Sequence, residues 1–298
     1  MANLTYEQFK TEITENIKDY LPDDYKEAEV KISTVNKIGN TYDGLSVRPK
    51  NKIYSPAANI NMFFDAYERG ETLDKVMRNI ADVLQTETPD HVKDISWVFD
   101  YEKAKDRLFI RVSNADKNKS IIESAPHKKF EDLIITCHIA VNQGPNNMAS
   151  TIVNNDLLER YGVTEDQLFE DAMENAPEVS PVRIDSMYNV ISHMVPEFEE
   201  NPDEANSMYI VTNKTNTYGA AAIFYSGILD KMYEKIGGSF IVLPSSVNEV
   251  IVVPDYGRYK DLKKMVEDIN ESSVEPEERL SNSVYKYDAE SKSLCIVA

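Results

Sequence analysis

The chain has 298 residues, 42% of them hydrophobic, and carries 51 Asp and Glu against 32 Lys and Arg, for a formal net charge of -19. That length and apolar content suffice for a buried core in one large domain or two, whereas the longest apolar runs are strand-sized, short of the roughly 18–20 residues of a membrane span. Two cysteines are too few for a disulfide framework, and the polar start from Met1 to Lys10 lacks the basic and apolar regions of a secretory signal, so a reducing cytoplasm is expected.

Thr5 and Gln8 have capping-box spacing, and Phe9, Ile13, Ile17 and Tyr20 follow at helical spacing until Pro22. Ala28 to Ile38 and Tyr42 to Arg48 read as paired strands about a Gly39-Asn40 turn. Helical segments follow at Met62 to Glu68 and, from a Thr72 cap, through Leu73, Val76, Met77, Ile80, Val83 and Leu84. Pro89-Asp90 breaks the pattern, and Trp97-Val98-Phe99 reads as the start of the next strand. A domain boundary is placed there, giving residues 1–95 and 96–298.

The second part repeats a unit of apolar strand, Asn-containing polar segment and helix. Leu108 to Val112 ends at Ser113-Asn114, Ser150 to Val153 at Asn154-Asn155, and Met208 to Val211 at Thr212-Asn213. Asn terminates strands because its side chain bonds nearby backbone and tolerates positive φ. Leu133 to Val141 is a further buried strand, and Gly144 to Asn147 a turn.

Thr164 and Gln167 cap a helix with Leu168, Phe169, Ala172 and Met173 inside and Glu165, Asp166, Glu170, Asp171 and Glu174 outside. Ile184, Met187, Tyr188, Ile191, Met194 and Val195 are expected along one face of the next helix, and Pro196 to Asn206 as an acidic loop. Tyr218 to Ile236 reads as one helix closed by Gly237-Gly238. Phe240 to Leu243 and Val250 to Val253 form a hairpin, Leu262, Val266 and Ile269 mark a last helix, and Ser283 to Tyr287 and Ser293 to Val297 are short strands. Strands and helices mixed without a strict βαβ rhythm predict α+β, with largely antiparallel sheets and packed helices.

Several of these segments are familiar as a set: Met208 to Asn213 with Gly219 to Ala222, Phe240 to Ser246 with Glu249 to Pro254, Leu280 to Tyr285, and Val112 to Asn118 with Pro126-His127 and Phe130 to Leu133. Together they resemble an uncharacterised bacterial family, the DUF5688-like domain of unknown function of gut Gram-positive anaerobes, best over residues 100–290. The resemblance implies a bacterial or phage origin and brings no catalytic residues or cofactor with it.

Cys137 and His138 are neighbours on a strand, so their side chains point to opposite faces and form no dyad; a core Cys and a hydrogen-bonded core His are expected. No His-Glu-x-x-His or paired Cys-x-x-Cys predicts a metal site, and no catalytic motif rises above background. What stands out is charge. Residues 1–150 hold 20 basic and 24 acidic residues, residues 151–298 hold 12 and 27, and from Asp156 to Glu204 fourteen carboxylates face only Arg160 and Arg183.

Such a chain is poorly suited to nucleic acid, whose phosphates are bound through Lys and Arg, and no basic patch suits a membrane surface. A protein partner is expected instead. Glu170, Asp171, Glu174, Glu197, Glu199, Glu200, Asp203 and Glu204 are its contact residues, and a concrete version is a mobile-element inhibitor whose carboxylates imitate phosphates in the groove of a basic nucleic-acid-binding enzyme. The competing expectation is an enzyme or small-ligand binder in which Asn114, Asn155 and Asn213 converge near the Gly219 helix start, beside Lys214 and Ser245. Neither version calls for a cofactor or a metal.

Overall fold

The computed structural model describes residues 4–37, 40–49, 55–86, 95–143, 148–194 and 208–298. The chain divides into two compact units, Met1–Asp94 and Ile95–Ala298. All strand pairing among the described residues is antiparallel, and the fold is α+β.

In the first unit, α1 (Tyr6–Asn16) opens with the capping box: Thr5 Oγ1 accepts from the Gln8 amide and Gln8 Oε1 from the Thr5 amide. Strands β1 (Glu29–Lys37) and β2 (Asn40–Arg48) pair in register from Glu29–Arg48 to Lys37–Asn40, so Asn40, expected in the turn, belongs to the strand, while Gly39 of that turn and Ile38, expected to end the first strand, lie outside the described residues. A short β3 (Ala57–Asn59) completes the sheet. Helices α2 (Ile60–Glu68) and α3 (Leu73–Leu84) are capped by Asn59 and Thr72. Phe9, Ile13, Leu45, Val47, Ile60, Val76 and Ile80 are buried together as the core.

The second unit contains two sheets. Trp97 to Phe99, expected as a strand, is instead a 3-10 turn (Ser96–Phe99): Val98 is buried while Phe99 is exposed, packed beneath the Arg160 guanidinium. Three aromatic or β-branched residues in a row satisfy strand propensity, but here Val98 is buried, Trp97 packs partly buried against the core and Phe99 points outward, which is not the alternation of a strand. A short α4 (Tyr101–Ala104) leads to β4 (Leu108–Asn114). After α5 (Lys119–Ser124) come β5 (His127–Phe130), β6 (Leu133–Gln143) and β7 (Met148–Ile152), with β6 the shared member of a four-stranded sheet. Helices α6 (Asn155–Tyr161) and α7 (Glu165–Val179) follow, and α7 packs on β4 through Leu168, Phe169, Ala172 and Ala176.

The second sheet runs β13-β12-β10-β11-β9-β8. Its strands are β8 (Val182–Ser186), β9 (Tyr209–Asn213), β10 (Phe240–Leu243), β11 (Val250–Pro254), β12 (Tyr285–Asp288) and β13 (Ser293–Ile296). Ile184, expected on a helix, lies in β8 opposite Val211; Pro181 cannot continue a helix, and α8 begins only at Met187 (Met187–Met194). The β10–β11 hairpin forms as expected, in register from Phe240–Pro254 to Leu243–Ile251. Helix α10 (Tyr259–Ser273) follows it.

The expected helix from Tyr218 to Ile236 is two elements: a 3-10 segment (Gly219–Phe224) and, after Gly227 at φ 77°, the helix α9 (Ile228–Ile236). Gly219, Ala220, Ala221, Ala222 and Ile223 are all buried, so the 3-10 segment passes through the interior, where an amphipathic helix would leave one face in water. A Cβ on Gly219 would lie 2.5 Å from the Asn213 amide nitrogen and 2.7 Å from the Asn248 carbonyl oxygen. Only glycine allows this approach.

The segment tolerates no added volume. Ala220→Leu, Ala221→Leu and Ala222→Leu are each expected to destabilise by about 1–3 kcal/mol and Gly219→Ala by a similar amount, whereas Glu234→Ala on the exposed side of α9 should stay within about 0.5 kcal/mol. Chemical denaturation of the five variants measures this.

Candidate functional site

The carboxylates of α7 form the first candidate surface. Glu165, Asp166, Glu170 and Glu174 are exposed. Asp171 is half-buried, accepting from the Tyr101 hydroxyl through one oxygen and from Gln167 Nε2 at 2.9 Å through the other. Burial, then the bond to Asp171, holds the Tyr101 phenol well above its ordinary pKa, so it stays a donor. Tyr101, Glu102, Lys105, Asp106, Gln167, Asp171, Glu174 and Asn175 line an open groove of ≈520 Å³. Its one lysine is held by its neighbour, Lys105 Nζ lying 2.7 Å from Glu102 Oε2.

Asp171 and Glu174 thus meet Glu102 and Asp106, two residues that charge counting over 156–204 passes over; the pairing of β4 with the α7 face brings them there. No three His, Cys, Asp or Glu side chains among the described residues gather as metal ligands do, so the groove presents dispersed negative charge. Glu197, Glu199, Glu200, Asp203 and Glu204 lie outside the described residues.

The Asn-ended strands lead to separate networks. Asn114 donates to the Leu280 carbonyl (3.0 Å) and accepts from the Lys117 amide (3.1 Å), and Leu280 in turn donates to the Ser245 carbonyl (2.9 Å). Asn114 and Ser245 are therefore joined through Leu280. Asn155 donates to Glu123 O, while Asn154 is the residue that caps α6.

Asn213 is buried and fully occupied. Its Nδ2 donates to Ser180 Oγ (3.0 Å) and Thr217 O (2.8 Å), and its Oδ1 accepts from the amides of Thr215 and Thr217 and the Thr215 hydroxyl. It sits against Gly219. Lys214 is exposed, with its amide bonded to Pro181 O. No hydrogen bond among the described residues links the three asparagines. These bonds hold a six-residue 3-10 segment in place, and each side-chain atom of Asn213 is already spent.

The sheet around β6 carries its own polar chemistry. Cys137 faces α7, its Sγ 3.9 Å from Leu168 O, and burial pushes its thiol well above the ordinary value. His138 faces the other way, as strand alternation requires, with Nε2 3.1 Å from Thr136 Oγ1. Its Nδ1, however, has no partner, so the expected fully hydrogen-bonded core His is only half realised. Burial, and secondarily the charge of Arg111, holds this imidazole well below its ordinary pKa. Arg111 is buried on the same face, its guanidinium 3.7 Å from the Tyr218 ring centroid, and burial brings its pKa down to about 10.

Two antiparallel sheets bridged by an interior 3-10 segment, with an acidic groove on one flank, define the second unit as an α+β domain whose exposed chemistry is anionic. The chain belongs to the family of unknown function DUF5688, whose model matches residues 6–289. No curated protein and no solved structure matches it.

Two substitutions probe these networks. Asn213→Ala removes five hydrogen bonds, among them the buried one to Ser180 Oγ, and is expected to cost about 1–3 kcal/mol in denaturant unfolding. His138 is neutral in the fold, so below about pH 6.5 the unfolded chain gains a proton that the folded chain refuses. Stability falls on acidification by about 1.4 kcal/mol per pH unit from this group alone. Comparing unfolding at about pH 7.5 and about pH 5.5, His138→Gln should show a shallower loss than the parent by that amount.

Proposed function

We propose that this protein works by binding a macromolecule of basic surface through the acidic flank of its second unit. The observation that carries the reading is the groove in which Glu102, Asp106, Asp171 and Glu174 stand together around a single, already paired lysine. Carboxylates arranged this way attract extended cationic surfaces and repel phosphates. Tyr101 and Gln167 hold Asp171 in place at the same edge. An aromatic ring beside charge suits a protein interface, where Tyr contributes area at low entropic cost.

The finer form of the proposal is an inhibitor of a basic nucleic-acid-binding enzyme, its carboxylates occupying the positions of phosphates. Carboxylates spaced along one flank, with Asp106, Glu170 and Glu174 in no ion pair among the described residues, support this form. The exposed row Glu165, Asp166, Glu170 and Glu174 extends the anionic surface along α7.

The test is binding of a labelled Lys- and Arg-rich peptide by fluorescence anisotropy. Affinity should fall by roughly tenfold or more between about 50 mM and about 300 mM salt. The triple change Glu102→Gln, Asp106→Asn and Glu174→Gln should weaken it at low salt, while Glu267→Gln, Asp268→Asn and Glu271→Gln on the exposed side of α10 should not. Salt-insensitive binding, or equal loss from the two triples, rejects the reading.

A further inference from the structure

Strand β8 ends the six-stranded sheet, and no described strand lies beyond it. Its inner side is fixed by the ladder to β9: the Pro181 carbonyl accepts from the Lys214 amide (3.0 Å), and the Met187 amide donates to the Met208 carbonyl (2.8 Å). Between these bonds the register runs without a break from Val182–Asn213 to Ser186–Tyr209. Bonded positions alternate along an antiparallel ladder. Arg183 and Asp185 therefore bond to β9, and the backbone groups of Val182, Ile184 and Ser186 point outward. Such an edge is a template for another strand.

Side chains alternate between faces as well. Val182 and Ile184 pack against the core, which puts Arg183 and Asp185 together on the opposite face. Both are partly exposed, by 41% and 35% of the side chain. Arg183 Nε lies 2.9 Å from Asp185 Oδ2 but outside hydrogen-bonding geometry, so it has no hydrogen-bond partner. Residues two apart on one strand are separated by about 7 Å, and this contact requires the guanidinium to bend along its own strand. A residue directly opposite on a neighbouring strand is only about 5 Å away.

The segment Val182-Arg183-Ile184-Asp185-Ser186 places opposite charges symmetrically about Ile184. A second copy of the strand, related by a two-fold axis at Ile184, sets each Arg183 opposite the Asp185 of the other copy. Ile184 then meets its own counterpart at a bonded position and exchanges two backbone hydrogen bonds with it, and each Ser186 amide donates to the other copy's Val182 carbonyl. The charged pairs fall at the non-bonded positions, where side chains approach most closely. Moving the axis by one residue to either side sets Arg183 against Arg183 or Asp185 against Asp185, so charge selects this register. Edge charges of one sign would repel a second copy in every register. The strand at the other end of the sheet, β13, reads Ser293-Leu294-Cys295-Ile296 and carries no charge to select any.

We propose that β8 is a self-association edge: two copies of the chain pair antiparallel about Ile184, join their six-stranded sheets and form two Arg183–Asp185 ion pairs across the seam. The interface is isologous, as a two-fold dimer requires. A strand of five residues makes a small contact, and each copy carries a charge of -19, so the dimer dissociates on dilution. The pairing is independent of whatever the acidic groove binds.

The test is sedimentation velocity of the full chain at about 150 mM salt over roughly 5–500 µM protein. The parent should pass from monomer to dimer across this range. Arg183→Asp alone and Asp185→Arg alone set like charges opposite each other, and each should weaken association about tenfold or more. Mixing the two single variants makes every charged pair across the seam opposite in sign again, and should restore association. Damage to the fold cannot produce that rescue. Hydrogen exchange at the two ends of the concentration range locates the seam: the Ile184 and Ser186 amides should gain protection with concentration, whereas those of Arg183 and Asp185, bonded to β9, should be protected throughout. A parent that stays monomeric, single variants that associate as the parent does, absence of rescue on mixing, or Ile184 and Ser186 amides equally protected at both concentrations each overturn the proposal.

Discussion

The second unit depends on one close approach. Gly219 passes so near the end of β9 and the Asn248 carbonyl that no Cβ fits, and from there Ala220, Ala221, Ala222 and Ile223 run through the interior. A conventional helix is about 10–12 Å across; a 3-10 segment of small residues is narrower and fits between the sheets. Its polar backbone must then be satisfied locally. The Ala220 amide donates to Val247 O, the Tyr218 amide to Asn248 Oδ1, and Asn213 holds the turn before it. The hairpin loop, the strand end and the 3-10 segment are consequently one structure, and the core on either side is continuous.

A second joint fastens the C-terminal strands to the β5–β6 corner. Asp132 accepts from Ser281 Oγ (2.7 Å), Ser283 Oγ (3.2 Å) and the Tyr285 hydroxyl. Burial, followed by the bond to Asp132, pushes the Tyr285 phenol far above its ordinary pKa, so the donor is permanent. Phe130 packs edge-on against Phe224 and parallel to Tyr285 beside it. This joint explains how residues 281–285 can hold position with little regular structure: the carboxylate collects three hydroxyls in a setting where each would otherwise be stranded.

The α7 groove and the buried Arg111 face of the β6 sheet follow from this frame and differ in kind. The groove on the α7 flank is wet, and its carboxylates act as a field on whatever approaches. The Arg111 face is buried, so a single charge there carries far more energetic weight than one at the surface. Tyr218 connects that face to the frame, since the residue stacked on Arg111 is the one immediately before Gly219.

Local rules, acting within about a turn of helix or a pair of strands, were readable from residue order. The Thr5–Gln8 and Thr164–Gln167 caps, the α7 face, the β1–β2 pair, the β10–β11 hairpin and the opposed facing of Cys137 and His138 all belong to this class, because caps, periodicity and alternation involve residues a few positions apart. The α+β class followed from the same patterns. Tertiary packing decided the rest. Trp97 to Phe99 and Ile184 changed element because burial and pairing with β9 outweigh local propensity, and the alanine run at 220–222 became an interior 3-10 segment because its width had to match a gap that the sequence does not encode locally. Glu102 and Asp106 joined Asp171 and Glu174, and Arg111, Ser113 and His138 came to share a face without a counter-charge, only through strand register and helix packing. Charge is written in the sequence, but its compensation depends on which distant residues fold beside it.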